Sequence, residues 1–395
     1  MSSDGYSLKF VADKLGVGQA IVKRWLERAI GPFKMAERKN GQWHLTERDL
    51  RVLEQHASRG AVKRSAAHRY KVVSLFSGIG GFDLGFEDAG LDVVFQCEAN
   101  AFCRTLLQKH WPSTPLSTDI KELTGAEIPA SDVWVAGFPC QDVSLARMGQ
   151  RDGLRGRQSG LFYEFARLVG EVRPGIIVLE NVHGLLSSHK GRDFGIVLGT
   201  LAELGYSVGW RTLNSKDFGV PQSRRRVYIV GCHRDWRGPS SILFEPECSE
   251  RNDPPRGPDG KKALSPFKES IGDPSGEGPV VQSIAYCLYA CSARHTGTDW
   301  SRTYVQYPKI GKVRRLIPSE CEGVMAFPPG WTIPPAGPFA RSEDLDSLRY
   351  HALGNAVTPP VARWLGERVK LYLDSRRQAE SATGKAKVTL QTSAG

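Results

Sequence analysis

Short apolar runs recur along the chain from residue 71, and each is followed by a glycine or a polar residue. Stretches with helical periodicity separate them, and the runs occupy residues 71–76, 92–96, 132–136, 175–179 and 227–230. Apolar runs of this length are typical of strands that are buried on both faces. Because the strands alternate with helices, the pattern predicts an α/β fold, a doubly wound and mostly parallel sheet with helices on both faces.

The first predicted strand runs into a glycine-rich turn at residues 77–82 (Ser-Gly-Ile-Gly-Gly-Phe) that opens a helix. Glycines such as Gly78 and Gly80 let the backbone bend sharply and let a ligand approach the N-terminus of that helix. Glu98 follows the second strand, where a carboxylate can accept hydrogen bonds from both hydroxyls of a ribose. These residues predict a nucleotide-like cofactor, although a glycine-rich turn alone fits any nucleotide-binding sheet.

The strand at 132–136 ends on a turn that contains a cysteine, residues 137–141 (Gly-Phe-Pro-Cys-Gln). A thiol at the carboxyl end of a parallel strand faces the cofactor crevice and is placed for covalent chemistry. Pro139 stiffens the turn that presents Cys140. A small buried cysteine would explain Cys140 alone, but it would not explain the motifs that follow along the chain.

Three further motifs place polar side chains at the ends of strands or helices. Glu180 and Asn181 end the fourth apolar run. Residues 222–226 (Gln-Ser-Arg-Arg-Arg) lead into the fifth, and the first and third of these arginines, two apart on extended chain, lie on the same face. Residues 354–357 (Gly-Asn-Ala-Val) open a long final helix.

In their order and approximate spacing, these five motifs resemble the C5-cytosine DNA methyltransferase family. The resemblance covers about residues 71–233 and 313–373, and five motifs in order are far more specific than any one of them. It implies a Rossmann-like catalytic domain that uses S-adenosyl-L-methionine, yields S-adenosyl-L-homocysteine and needs no metal. The implied reaction is methylation at C5 of a flipped-out cytosine in a specific duplex DNA sequence.

The resemblance also implies roles for individual residues. The expected catalytic residues are Cys140, Glu180, Asn181, Arg224 and Arg226. The expected cofactor contacts are Phe76, Gly78, Gly80, Glu98, Asp119, Ile120, Pro139, Leu161, Asn355 and Val357. The expected DNA contacts are Gln141, Ser144, Arg147 and Arg155 of a closing loop at 141–160, Arg294 and Arg302 of the recognition region, and Lys23 and Arg24 near the N-terminus.

The chemistry explains why these residue types are needed. Cytosine C5 is a poor nucleophile, and addition of the soft Cys140 thiolate at C6 makes C5 nucleophilic. Charge that accumulates on the ring must be neutralised at N3, which Glu180 can do if its pKa is raised enough for it to keep a proton. Flipping the base out of the duplex costs a few kcal/mol. The sequence does not identify the base that removes the C5 proton.

The first 70 residues are the basic part of the chain, with 14 Lys and Arg against 7 Asp and Glu, in a chain whose formal net charge is +11. Helical periodicity at 7–16 and 18–30, an Asn-Gly pair at 40–41 and a helix start at Thr46 predict helix, turn, helix, hairpin, helix. This order resembles the winged helix-turn-helix heads of MerR-like regulators, which implies DNA contact. A small protein-docking domain would show the same pattern.

These patterns divide the chain into six segments. They are a winged helix-turn-helix DNA-binding domain (1–60), a linker (61–70), the catalytic domain (71–233), a target-recognition region with a long loop (234–312), the remainder of the small domain with a C-terminal helix (313–374) and a disordered tail (375–395). Aromatic residues of the recognition region can read base edges in the major groove or form that region's own core. Glu322-Gly323 stands where the family has an Arg-Leu pair, which bears on how the small domain docks.

Composition excludes other classes of protein. No apolar run reaches the roughly 18 to 20 residues that span a membrane, and the eight cysteines lack paired metal-ligand spacing, which favours a cytoplasmic setting. The expected partner is double-stranded DNA, bound by a monomer at the methylation target and by a dimer at an operator, with a cognate endonuclease. The alternatives are the same chemistry on RNA, and a transcriptional regulator with a secondary methyltransferase role. A winged helix argues against RNA, whose A-form major groove is too narrow for a helix.

Overall fold

A computed structural model describes residues 6–15, 37–39, 42–45, 69–139, 160–245, 270–271, 280–290 and 303–392. The chain divides into two units, one comprising Met1–His68 with Pro328–Gly330 and the other comprising Arg69–Phe327 with Trp331–Gly395. All five motifs of the catalytic domain fall in the second unit.

The first unit contains helix α1 (Leu8–Leu15) and two short strands, β1 (Glu37–Lys39) and β2 (Gln42–His44). The strands are antiparallel, with Lys39 opposite Gln42. Antiparallel strands separated by two residues are what the Asn-Gly pair predicts. The pair itself lies outside the described residues. The predicted hairpin is confirmed.

The residue after the hairpin ties it to the start of the chain. Leu45 and Tyr6 exchange two backbone hydrogen bonds, 2.7 and 3.0 Å long. The side chains of Leu45 and of Val11 on α1 are fully buried. The predicted helices at 18–30 and from Thr46 lie outside the described residues.

One large sheet organises the second unit. Its strands are β3 (Lys71–Leu75), β4 (Asp92–Cys97), β5 (Leu116–Ser117), β6 (Val133–Ala136), β7 (Ile176–Val182), β8 (Tyr206–Asn214) and β9 (Arg225–His233). They are ordered β5-β4-β3-β6-β7-β9-β8. The first five in this order are parallel, and β9 is antiparallel to both of its neighbours. The predicted mostly parallel sheet is therefore confirmed.

The helices of this unit are α2 (Gly81–Asp88), α3 (Ala101–His110), α4 (Leu161–Val172), α5 (Arg192–Glu203), α6 (Gly238–Leu243), α7 (Pro318–Val324), α8 (Leu345–Asn355) and α9 (Pro359–Thr392). On one face of the sheet, α4 and α5 pack residues such as Phe165 and Leu201 against Trp134 of β6. On the other face, α2 and α9 contribute residues such as Phe86 and Leu365. Burial on both faces explains why the central strands are continuous apolar runs.

Four short strands lie outside the large sheet: β10 (Ser270–Ile271), β11 (Val281–Gln282), β12 (Tyr304–Tyr307) and β13 (Lys312–Arg315). β10 pairs with β11 and β12 with β13, both antiparallel, and a bridge between Val280 and Gln306 links the two pairs. Val305 packs in a third core cluster together with Ile79 of the glycine-rich turn. The recognition region thus contains strands, and its role in target recognition stays a prediction.

Glu322, which belongs to the Glu322-Gly323 departure from the family pattern, pairs with a basic residue of α8. Glu322 of α7 is fully buried and accepts hydrogen bonds from the backbone N–H (2.8 Å) and the hydroxyl of Thr332. Nη2 of Arg349 on α8 lies 3.2 Å from the same carboxylate, and Nε of Arg349 donates to the Thr332 hydroxyl. An acidic residue on α7 is therefore paired with a basic residue on α8, so α7 still docks through a buried ion pair.

The C-terminal segment differs from its prediction. Sequence reasoning predicted disorder over 375–395, whereas α9 continues to Thr392. Residues 375–392 contain no proline and are rich in Ala, Gln, Glu, Lys and Arg, which all favour helix. Arg376 also lies 3.6 Å from Glu380, one turn on, and 3.8 Å from Asp235. These contacts support the first turns of the extension.

Within the described ranges, no helix is long and apolar enough to cross a lipid bilayer. The same ranges hold no group of three or more His, Cys, Asp or Glu side chains placed to bind a metal ion.

Candidate active site

A cavity of about 380 Å³ lies at the carboxyl ends of the parallel strands. This is the edge where open α/β sheets bind their ligands. The sequence-predicted residues that line it are Phe76, Gly78, Glu98, Asp119, Ile120, Pro139, Leu161, Glu180, Asn181, Arg224, Arg226 and Asn355. The fold therefore brings together side chains that are up to about 280 positions apart in the sequence.

The glycine-rich turn forms one wall of the cavity. Gly78 has a φ of 58°, and a Cβ built on it would meet no atom within 4 Å, so its open side faces the cavity. A Cβ on Gly80 would come within 2.4 Å of Trp111, and one on Gly81 within 2.2 Å of the Val357 carbonyl oxygen. Close packing behind the turn therefore requires two of its glycines, and the third leaves room for a ligand.

Two predicted cofactor contacts are not among the residues that line the cavity. Gly80 packs against Trp111, and the Val357 backbone presses against Gly81. The Val357 side chain is buried in the core cluster under α2 and α9. Both residues shape the glycine-rich turn from behind.

Glu98 connects the turn to the next helix. Its carboxylate accepts hydrogen bonds from the backbone N–H of Gly78 and of Asn100, each 2.7 Å long. The Asn100 side chain in turn accepts a hydrogen bond from the Cys103 backbone N–H and caps α3. Glu98 therefore stands at the cavity wall in a fixed orientation.

A buried carboxylate that sequence reasoning missed supports the turn from below. Asp83 of α2 is fully buried and accepts hydrogen bonds from the Ser74 hydroxyl (2.9 Å) and the Gln96 side-chain amide (2.6 Å). It thereby links α2 to β3 and β4. Burial raises the pKa of Asp83 to about 6, although both hydrogen bonds act in the opposite direction. Its place on a helix gave no sequence signal of this role.

Glu180 and Arg226 form the polar wall on the other side of the cavity. Oε1 of Glu180 lies 3.1 Å from Nε of Arg226, and both side chains are nine-tenths buried. Burial raises the pKa of Glu180, and the charges of Arg226 and Arg224 oppose this rise. Burial thus makes the protonated form of Glu180, which can donate a hydrogen bond, more accessible than it is in water.

Asn181 fixes the turn that leads to the predicted nucleophile. Its side-chain amide donates to the Phe138 carbonyl oxygen (2.8 Å), and its own carbonyl oxygen accepts from the Val182 backbone N–H (2.8 Å). Phe138 stands two residues before Cys140. The described segment that begins at residue 69 ends at Pro139, and the next one begins at residue 160. Cys140 lies outside the described residues, as do all eight predicted DNA contacts, Gln141, Ser144, Arg147, Arg155, Lys23, Arg24, Arg294 and Arg302.

Arg224 ties three chain segments together beside the cavity. The buried guanidinium donates to the carbonyl oxygens of Leu288 (3.0 Å), Gly354 (3.0 Å) and Ala356 (2.8 Å). The catalytic role that the resemblance implies for Arg224 stays a prediction. Its N–H groups hold main-chain oxygens, and Arg224 thereby positions the Gly354 turn against the segment that contains Leu288.

Cys287 is a second residue that sequence reasoning missed. Its sulfur lies 3.7 Å from Nη1 of Arg224 and 3.9 Å from Nη1 of Arg226. Cys287 is one of the eight cysteines that lack paired metal-ligand spacing in the sequence. No sequence signal links Cys287 to arginines that are 61 and 63 positions away.

The parallel sheet, the glycine-rich turn and the carboxylates at successive strand ends define an α/β methyltransferase of the class that uses S-adenosylmethionine. Over residues 70–256 the chain matches the family described as C-5 cytosine-specific DNA methylase. Type II methyltransferase M2.BsuMI of Bacillus subtilis (strain 168) is 31% identical over 76% of this chain and 75% of its own length. M.NlaX of Neisseria lactamica is also 31% identical, over 78% of this chain and 98% of its own length. The chain belongs to the C-5 cytosine-specific DNA methylase family.

One further relative and two solved structures are also similar to this chain. Type II methyltransferase M.SsoII of Shigella sonnei is 28% identical over 93% of this chain and 95% of its own length. Among solved structures, Schizosaccharomyces pombe Dnmt2 matches 78% of this chain with a TM-score of 0.53 and 18% identity, and a variant of Spodoptera frugiperda DNMT2 matches 76% with a TM-score of 0.54 and 19% identity. At such identities the solved structures show the shared fold alone.

Proposed function

We propose that this protein is the DNA (cytosine-5-)-methyltransferase of a restriction-modification or defence system, and that it methylates a flipped-out cytosine in a specific duplex sequence. The observation that carries the proposal is the buried Glu180–Arg226 pair on the cavity wall, beside the turn that leads to Cys140. Relatives named as Type II methyltransferases support the biological setting.

The cavity fits S-adenosylmethionine. Gly78 leaves an open face, Glu98 presents a carboxylate for a ribose, and Asp119 and Ile120 follow β5 at the place expected for an adenine. Phe76, Pro139, Leu161 and Asn355 would complete the contacts. When bound, the cofactor supplies the methyl group that cytosine C5 accepts.

Cys140 makes C5 able to accept that group. Its thiolate adds to C6 of the flipped cytosine, and the electron pair of the C5–C6 double bond becomes available at C5. After methylation, a base removes the C5 proton, the double bond re-forms and the thiolate leaves. Asn181, by holding the Phe138 carbonyl oxygen, aims the turn that presents Cys140.

Glu180 and Arg226 manage charge on the ring. A protonated Glu180 donates to N3, where negative charge would otherwise build up during the addition. Arg226 lies beside this carboxyl group, and in this proposal it donates to the exocyclic carbonyl oxygen of cytosine. Arg224 contributes indirectly, by holding the backbone carbonyl oxygens of Gly354 and Ala356.

The N-terminal unit has a separate role in this proposal. Its hairpin and α1 are consistent with a winged helix-turn-helix over residues 1–60, bound as a dimer at an operator or used to add affinity at the methylation target. A basic head joined to a nearly balanced body supports an anionic partner. The other proposed segments are 61–70, 71–233, 234–312 and 313–374, and α9 continues past the last of them to Thr392.

Bisulfite sequencing of DNA from cells that express the wild type or Cys140→Ser tests the proposal. Cytosines protected in one sequence context by the wild type alone would support the reaction, the nucleophile and the target together. Unprotected DNA from both, with folded and cofactor-binding protein, would contradict it. Bisulfite sequencing of RNA from the same cells distinguishes the RNA alternative.

A further inference from the structure

A basic strap follows the catalytic strand β7. The strap comprises residues 183–192, and its side chains include His183, His189, Lys190 and Arg192, all exposed. It contains no Asp or Glu. The next residue, Asp193, is a carboxylate but is buried. The exposed surface of the strap therefore carries the positive charges of Lys190 and Arg192.

The strap is anchored so that its basic side chains stay outside. It consists of two 3-10 turns, His183–Leu186 and Ser188–Gly191. Leu185 is fully buried in the core cluster that also holds Phe194 and Val197 of α5. An apolar anchor in the middle of a short polar segment fixes its backbone against the sheet.

His189 has a defined orientation. Its Nδ1 lies 2.7 Å from Oδ2 of Asp193, which also accepts a hydrogen bond from Ser188. Because a carboxylate only accepts hydrogen bonds, Nδ1 carries the hydrogen and the opposite edge of the half-exposed ring is left toward solvent. His189 and Lys190 both have left-handed backbone conformations, with φ of 45° and 60°. Such conformations in non-glycine residues are concentrated at functional sites.

The strap adjoins the cavity. Val182, the last residue of β7, lines the cavity and is 39% exposed. Arg225 is exposed at the start of β9 and extends the same surface. Side chains two apart on a strand lie on one face, so Arg225 shares a face with Val227, which packs in the cluster that holds Leu185 of the strap. A basic surface thus begins at the rim of the site that receives the flipped cytosine.

We propose that the strap and Arg225 bind the phosphate backbone of the duplex beside the flipped cytosine. This inference rests on the proposed function, since it requires duplex DNA at the cavity. Lysine and arginine at such a surface neutralise phosphates without reading sequence. The strap is continuous with the cavity, and residues 183–192 contain no Asp or Glu; both features favour DNA over a protein partner.

The test is the salt dependence of DNA binding by the full-length protein. We expect Lys190→Gln/Arg192→Gln to weaken binding of a fluorescein-labelled duplex that contains the methylated sequence, and to lower the slope of log K against log salt by about 2. The rate at saturating DNA should be unchanged, because neither residue lines the cavity. Fluorescence anisotropy gives the affinity and the slope.

Two controls separate charge from fold and from position. Lys190→Arg/Arg192→Lys keeps both charges and should keep the wild-type slope. Arg69→Gln/Arg377→Gln removes two charges at the opposite edge of the sheet, where Tyr70 precedes β3 and interacts with Asp374, and should also keep it. A wild-type slope for Lys190→Gln/Arg192→Gln would overturn the inference. A wild type that neither binds nor methylates duplex DNA would instead overturn the proposed function.

Discussion

Burial and a neighbouring charge shift the pKa of Glu180 in opposite directions. Burial favours the neutral carboxyl, and Arg226 at 3.1 Å favours the carboxylate. The proposed donation to N3 needs the neutral form. A raised pKa is therefore useful to the reaction, and Arg226 limits how far it rises.

We expect Glu180→Gln to lower kcat by about 10²- to 10⁴-fold, because a primary amide cannot supply a proton to N3. Since the wild type needs the protonated carboxyl, its kcat should fall as pH rises through the raised pKa, and Glu180→Gln should lose this dependence. Single-turnover methylation across pH measures both effects. Cofactor affinity, measured by calorimetry, should change little, and equal loss of affinity and rate would contradict the assigned role.

Asp83 gives a stability prediction with the same physical origin. The folded state raises the pKa of Asp83 from 3.8 to about 6, so the folded protein keeps a proton that the unfolded chain releases between these values. Protonated Asp83 therefore stabilises the folded protein below about pH 4. This contribution to the free energy of unfolding, roughly 3 kcal/mol, is lost as pH rises to about 6. The melting temperature of Asp83→Asn should not show the corresponding decline with rising pH.

The matched control for Asp83 is Asp92→Asn, which removes a carboxylate at the surface pair with Arg69. It should retain the wild-type dependence of melting temperature on pH. Thermal unfolding of the three proteins from pH 4 to pH 7 makes the comparison. If the melting temperatures of Asp83→Asn and the wild type change in parallel with pH, Asp83 has the same pKa in the folded and unfolded states, and the prediction is wrong.

Residue spacing predicted which side chains meet, but not what each one binds. Glu98, Glu180 and Asn181 follow strands, and parallel strands end at one edge, so their meeting in the cavity could be predicted. The partners of Arg224 could not, because three backbone oxygens from distant segments hold its guanidinium. Cys287 joined the site for the same reason, through tertiary packing that leaves no local pattern.

Among the elements, α7 and α8 show how a departure in sequence is absorbed. Glu322 is fully buried, and its carboxylate is held by Thr332 and Arg349. We expect Glu322→Gln to lower the free energy of unfolding by about 3 kcal/mol, because it removes the buried partner of Arg349 and leaves only the exposed Asp346 carboxylate, 3.6 Å away. The drop in melting temperature measures this.

Glu320, two residues earlier on α7, is the matched control. It pairs with Arg314 at 2.7 Å where both side chains are about one-third exposed. Glu320→Gln should cost no more than about 1 kcal/mol, since solvent screens an exposed pair. Equal losses for the two variants would mean that the Glu322–Arg349 pair is not specially important to docking.

Elements were predictable where periodicity is strong and less so where it is weak. The central strands are apolar on both faces, which marks them in the sequence and produces the parallel core. The direction of β9 depends on its neighbours, and no residue within it encodes that direction. The helix at 375–392 has helix-favouring residues but no apolar face to signal packing, which is why its composition was taken for a disordered tail.

For the molecule as a whole, the two units suggest separable tasks. M.NlaX is matched over 98% of its length by 78% of this chain, so a relative of this family needs fewer residues than this chain has. We expect a protein lacking residues 1–68 to methylate the same sequence at a similar rate, because the cavity and its support lie in the second unit. Bisulfite sequencing and methylation rates on a plasmid check this.

The same deletion decides between the two roles proposed for the N-terminal unit. If that unit binds an operator, the deletion should abolish protection of DNA upstream of the protein's own gene in footprinting, while methylation continues. Lys23→Gln/Arg24→Gln in the full-length chain should then reproduce the loss, because both charges lie on the predicted recognition helix. If methylation rates instead fall at every site and recover at low salt, the unit adds electrostatic affinity at the target. Operator protection that survives the deletion would contradict the regulatory role, because the catalytic unit alone would then bind that DNA.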